Sequence, residues 1–168
     1  MIASFLYKLL QAALLLLAQG LILNHVNILG YATPMPFIYF ILTFQRGTGR
    51  KTLLLSGFLM GLASDMFANT PGISASACTL LAMLQPSLLD ILAPRDSAED
   101  LLPSFSTMGV GPYFRYLFVS TLLFLIVYYL LAIFSLAHPI DILINIAGGT
   151  LFTLLIMLGI ASFQKKKA

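Results

Sequence analysis

The chain has 168 residues, of which 60% are hydrophobic and only 9% charged, with a mean hydropathy of +0.98. A soluble domain carries about 25% charged residues, so this composition excludes a water-soluble globular protein and predicts an all-α integral membrane protein. The net charge of +3 is scattered over segment ends, which excludes a nucleic-acid footprint, and the single cysteine, Cys78, excludes a disulfide framework or a cysteine metal cluster.

In chain order, hydropathy predicts six spans, at about 5–23, 33–45, 53–69, 73–92, 113–134 and 140–163, in one membrane domain covering residues 1–168. The first resembles a signal peptide, with Lys8 ahead of an apolar run. No A-x-A-like cleavage site follows, so it reads as an uncleaved span. The second follows Pro34 and Pro36 and is short of the roughly 20 residues a crossing helix needs. Either the extended stretch before Pro36 adds to its depth, or it sits in a thinned or protein-lined region.

The third segment starts after Arg50 and Lys51 and runs toward Pro71 and Gly72. Its spacing puts Gly57, Gly61, Ser64, Asp65 and Ala68 on one helical face, a carboxylate among residues small enough to admit a neighbouring backbone. Asp65 lies roughly 21 Å along the helix from Lys51 at 1.5 Å per residue, too deep to snorkel, so it should face protein or water. Two readings stay open, a hydrogen bond that holds a neighbouring helix or a direct functional contact.

The fourth segment opens with the small residues Ser74, Ala75, Ser76, Ala77 and Cys78 and carries Gln85-Pro86, where a kink is expected. A cytoplasmic loop over 94–112 follows, with Arg95 beside Asp96, Glu99 and Asp100. It reads as a solvated loop or as a docking site for a cytoplasmic partner. In the sixth segment Asp141, Asn145, Gly148 and Gly149 share a face. That stripe suits helix packing or a polar cavity open to the outer side.

With the N-terminus in the cytoplasm, the inner ends hold Lys8, Arg46, Arg50, Lys51, Arg95, Arg115, Lys165, Lys166 and Lys167, and the outer turns hold no basic residue. This satisfies the positive-inside rule and predicts a multi-pass plasma-membrane protein with both termini in the cytoplasm. No catalytic motif is present. The turn from Arg46 to Thr52 fails the phosphate-loop pattern because Gly49 is followed by Arg50, and His25 and His138 lack acidic neighbours at metal-ligand spacing. The sequence therefore predicts no enzyme, no cofactor and no metal.

Three blocks, GYATPMPFIYFIL over 30–42, GFLMGLASDMFANTPG over 57–72 and LAPRD over 92–96, together closely resemble the rod-shape-determining MreD family over essentially the whole chain. The family signature falls on Gly57, Gly61, Asp65, Pro71 and Gly72, with Arg95 and Asp96 in the loop block. Gln85 departs from the arginine expected before Pro86 in similar sequences. The resemblance implies a fold similar to the six-helix substrate-binding subunits of energy-coupling-factor transporters. It also implies a non-catalytic subunit of the bacterial cell-wall elongation complex. Its implied partners are a single-pass MreC-like scaffold, an MreB-like filament, a RodA-like glycosyltransferase and a class B penicillin-binding protein. One alternative is the small-molecule-binding subunit of a vitamin transporter. A translocator of lipid-linked precursors fits less well, since a pyrophosphate would want Arg or Lys at the outer face.

Overall fold

The computed structural model describes residues 2–21, 33–94, 101–132 and 139–165. Among them the chain is helical, without strands, in the order α1 (Ile2–Leu21), a 3₁₀ turn (Pro36–Ile38), α2 (Tyr39–Leu42), α3 (Arg50–Ala68), α4 (Ile73–Leu92), α5 (Phe105–Met108), α6 (Val110–Ala132) and α7 (Pro139–Lys165). Three of these are long and apolar enough to cross a membrane: α4, α6 and the Ile142–Phe163 part of α7. α3 and α4 form the most closely packed pair, α4 continues onto α6 and α6 onto α7, while α1 lies against α3.

The second expected span is corrected. Segment 33–45 is no continuous helix but an extended entry, one 3₁₀ turn and a single α-turn. Pro34 and Pro36 explain this, because each disfavours helical backbone in the residue before it and supplies no N–H. The segment is not lipid-facing: Phe37, Ile38, Tyr39, Ile41 and Leu42 are essentially inaccessible and form the centre of the core.

Irregular backbone at membrane depth is tolerated only where protein satisfies its polar groups. Here four helices each send in one side chain. Gln19 of α1 donates to the Pro34 carbonyl at 3.2 Å, and the Met35 amide donates to the Thr153 hydroxyl of α7 at 3.0 Å. The Tyr116 hydroxyl of α6 donates to the Leu42 carbonyl at 3.1 Å, and the Gln85 amide of α4 donates to the Phe44 carbonyl at 3.1 Å. The Tyr39 and Tyr113 hydroxyls meet at 3.3 Å, and Phe37 packs edge-on against Phe124.

The expected loop 94–112 is also corrected. α6 begins at Val110 rather than Tyr113, and α5 is a one-turn helix closed by a capping box between Ser104 and Thr107. The Arg46 amide donates to the Leu101 carbonyl at 2.9 Å and the Arg46 guanidinium pairs with Asp90 at 2.7 Å, tying this loop and the end of α4 to the turn before α3. Pro86 sits inside an unbroken α4.

Candidate functional site

The α3–α4 hairpin gathers most of the residues singled out in the sequence. α3 ends on Asn69 in the left-handed region (φ 57°), which asparagine tolerates better than most residues. Gly72 follows at φ 88° as the N-cap of α4, a conformation that favours glycine, with exposed Pro71 between them. Having no side chain, Gly72 cannot cap the helix it begins. Without another acceptor the leading amides of α4 would be orphaned, those of Ser74 and Ala75 in buried positions.

Asp65 solves this from the preceding helix. Its Oδ1 accepts from the Ser74 amide at 2.9 Å and the Thr70 hydroxyl at 3.0 Å. Its Oδ2 accepts from the Gly72 and Ala75 amides, each at 3.0 Å. The fourth amide, of Ile73, is taken by the Thr70 carbonyl at 3.4 Å. Asp65 is only 3% exposed, and its carboxyl oxygens meet four donors and the positive end of the α4 dipole, with no basic side chain paired to it among the described residues.

The glycines set the distance at which this works. A Cβ on Gly61 would lie 2.4 Å from the Ser74 carbonyl oxygen and 2.6 Å from the Ala75 Cα; one on Gly57 would lie 2.8 Å from the Ala82 Cβ. Gly61 therefore lets the two backbones meet one turn before Asp65, which brings the carboxylate within reach of the amides. Gly57 and Gly61 lie at offsets of eight and four before Asp65, so the stripe read from the sequence is the contact line with α4.

Asn145 is half-buried on α7, and Asp141 lies in the first turn of α7 with its side chain outside the described residues. Arg95 and Asp96 lie outside the described residues altogether. Gly149 packs under Leu125, where an added Cβ would sit 3.3 Å from Cδ1. Among the described residues no group of His, Cys, Asp or Glu side chains is arranged to hold a metal ion.

Beside the Asp65 cap lies a cavity of about 390 Å³, bounded by the ends of α1, α3 and α6, the start of α4 and the entry to the 33–44 segment. Ser64, Thr70, Ser74, Tyr128 and Tyr129 give it hydroxyls, Gln19 an amide, and Met35 and Phe67 apolar wall. Sequence reading missed Gln19, Tyr128 and Tyr129. The available signal was a polar or hydroxylated residue near the end of an otherwise apolar helix. Comparison with known proteins gives no match to a family, to a curated protein or to a solved structure.

Proposed function

We propose that this protein is a non-catalytic membrane subunit of the bacterial cell-wall elongation complex, a helical platform for an MreC-like single-pass scaffold in the plasma membrane. The support from sequence is the set of blocks over 30–42, 57–72 and 92–96. The observation that carries it is the division of α3 into two faces. Gly57, Gly61, Ser64 and Asp65 are committed to α4 and its turn, while Leu55, Phe58, Leu59, Leu62 and Met66 are exposed. Those five residues follow offsets of three, four, seven and eleven, an unbroken apolar stripe of the kind a partner helix packs on. The platform has its own fold fixed from inside by the Asp65 cap and offers this outer stripe for binding. The MreB-like filament, the RodA-like glycosyltransferase and the class B penicillin-binding protein would join through the scaffold or the cytoplasmic turns.

The test is purification of the tagged protein from native membranes in mild detergent, with co-purifying proteins identified by mass spectrometry. The wild type should recover an MreC-like bitopic protein. Leu59→Trp with Leu62→Trp, which crowds the stripe and leaves the Asp65 cap intact, should lose that partner while the protein stays in the membrane at its usual level. Recovery of a paired transporter ATPase instead would replace this reading with the vitamin-transporter alternative.

A further inference from the structure

The cavity beside the Asp65 cap has a chemistry of its own, independent of the platform reading. Its volume of about 390 Å³ falls in the range of small-molecule pockets, about 300–1,000 Å³. Two of its lining serines are almost wholly buried, Ser64 at 3% and Ser74 at 2% exposed. Neither hydroxyl has a hydrogen-bond partner among the described residues, although Ser74 lends its amide to Asp65. Neither oxygen is among the fully enclosed unpartnered atoms, so both are open to the cavity, where a ligand or ordered water can supply the missing bonds.

The lining also excludes ligand classes. None of the described lining residues is a formal cation or anion, and both oxygens of the Asp65 carboxylate behind Thr70 and Ser74 are already taken by four donors, so a cation would find no free counter-charge. A helix N-terminus such as that of α4 is ordinarily an anion site. Here the Gly72, Ser74 and Ala75 amides already point at the Asp65 carboxylate, and a phosphate arriving there would meet that negative charge. What remains is a neutral ligand rich in groups that both donate and accept. Hydroxyls line the cavity from α3, α4, α6 and the α3–α4 turn, so they surround it rather than mark one edge. The Phe67 ring and the Met35 side chain offer apolar surface to the C–H face of such a ligand.

We infer that this cavity is a binding site for a neutral polyhydroxyl group, a sugar ring carried either by a free glycoside or by the headgroup of an uncharged glycolipid. Phe67 is half exposed, and Met66 beside it is 81% exposed. An acyl chain leaving the cavity would therefore meet apolar surface at once.

The protein contains seven tyrosines and no tryptophan, so intrinsic tyrosine emission, with Tyr128 and Tyr129 in the lining, reports binding directly. The full chain is reconstituted in phosphatidylcholine vesicles. In one arm methyl glucoside is titrated from solution, and in the other monoglucosyl diacylglycerol is included at graded mole fractions. A saturable change in emission is expected in at least one arm. A response to the lipid alone assigns the site to a membrane headgroup, and a response to the soluble glycoside assigns it to a free sugar. Ser64→Ala with Ser74→Ala should weaken the response at least about tenfold, in line with two lost hydrogen bonds. Phosphatidylglycerol should neither mimic nor compete. If the double variant loses helicity, Tyr129→Phe, which keeps the ring and removes one hydroxyl, takes its place, with a weakened response expected. No saturable response in either arm, an undiminished response in the folded variant, or equal competition by phosphatidylglycerol would overturn the inference.

Discussion

At the scale of single residues, Asp65 is a capping residue placed seven positions before the N-cap it serves. Its removal strands the Ser74 and Ala75 amides in a buried site and takes the acceptor from the Gly72 amide, so Asp65→Ala should destabilise the protein by about 3–5 kcal/mol, comparable with breaking a buried charge pair. Asp65→Asn keeps one acceptor oxygen but turns an NH₂ toward amide donors, and should cost about 1–3 kcal/mol. Unfolding in mixed micelles, followed by circular dichroism, separates these cases; equal stability of Asp65→Ala and wild type would show that the cap does not hold the hairpin. Membrane insertion should not suffer, because losing a carboxylate only raises the hydrophobicity of α3. Gly61 offers a second test. Gly61→Ala pushes a Cβ into the α4 backbone and should cost at least about 1–3 kcal/mol. Gly159→Ala meets nothing within 4 Å and should be neutral, or more stable by up to about 1 kcal/mol from helix propensity. If the two variants melt together, the α3–α4 approach is looser than the described packing.

At the scale of elements, the decisive piece is the one that never becomes a long helix. Periodicity made α4 legible over Ile73–Leu92 and placed Gly57, Gly61 and Asp65 on one face, because both depend on local spacing. The segment 33–44 was legible only as too short, with a protein-lined setting left open. What completes it comes from Gln19, Gln85, Tyr116 and Thr153, at sequence distances that no local pattern connects. Gln85 stands out in the sequence only as a departure from an expected arginine, yet it ties α4 to the Phe44 carbonyl. The role of Asp65 was half legible: its face was evident, but its partners are backbone amides, which sequence does not advertise. The segment's dependence on side chains can be measured in α7. Thr153→Val removes the acceptor of the Met35 amide and should cost about 1–3 kcal/mol. Thr150→Val removes only a bond from a hydroxyl to the Ile146 carbonyl within the same helix, and should stay within about 0.5 kcal/mol. Matching melts for the two would mean that the segment is held by packing alone.

At the scale of the whole molecule, the helix ends sort by charge. The Arg46–Asp90 pair joins the turn before α3 to the end of α4, and the Tyr39–Tyr113 contact brings the start of α6 to the same end of the bundle. Arg46, Arg50, Lys51 and Arg115 therefore gather there, while the cavity and the Asp65 cap lie at the other end, whose described lining carries no basic residue. The positive-inside rule predicts that the first end is cytoplasmic and that the cavity faces outward. This requires α3 to cross, and its 19 residues span about 28 Å at 1.5 Å per residue, close to the roughly 30 Å of a hydrocarbon core. The crossing can be tested directly because Cys78 is fully buried and should not react with a maleimide in the folded protein. Gly49→Cys and Pro71→Cys each place a thiol at an exposed position on either side of α3. A membrane-impermeant maleimide added to intact cells should label Pro71→Cys and leave Gly49→Cys untouched until the membrane is opened. Labelling of both from outside would put the two ends of α3 on one side, and neither the six-span topology nor an outward-facing cavity would survive it. The opposite pattern, with Gly49→Cys alone labelled, would keep α3 as a span and invert the bundle, placing the Asp65 cap and its hydroxyl-lined cavity on the cytoplasmic side.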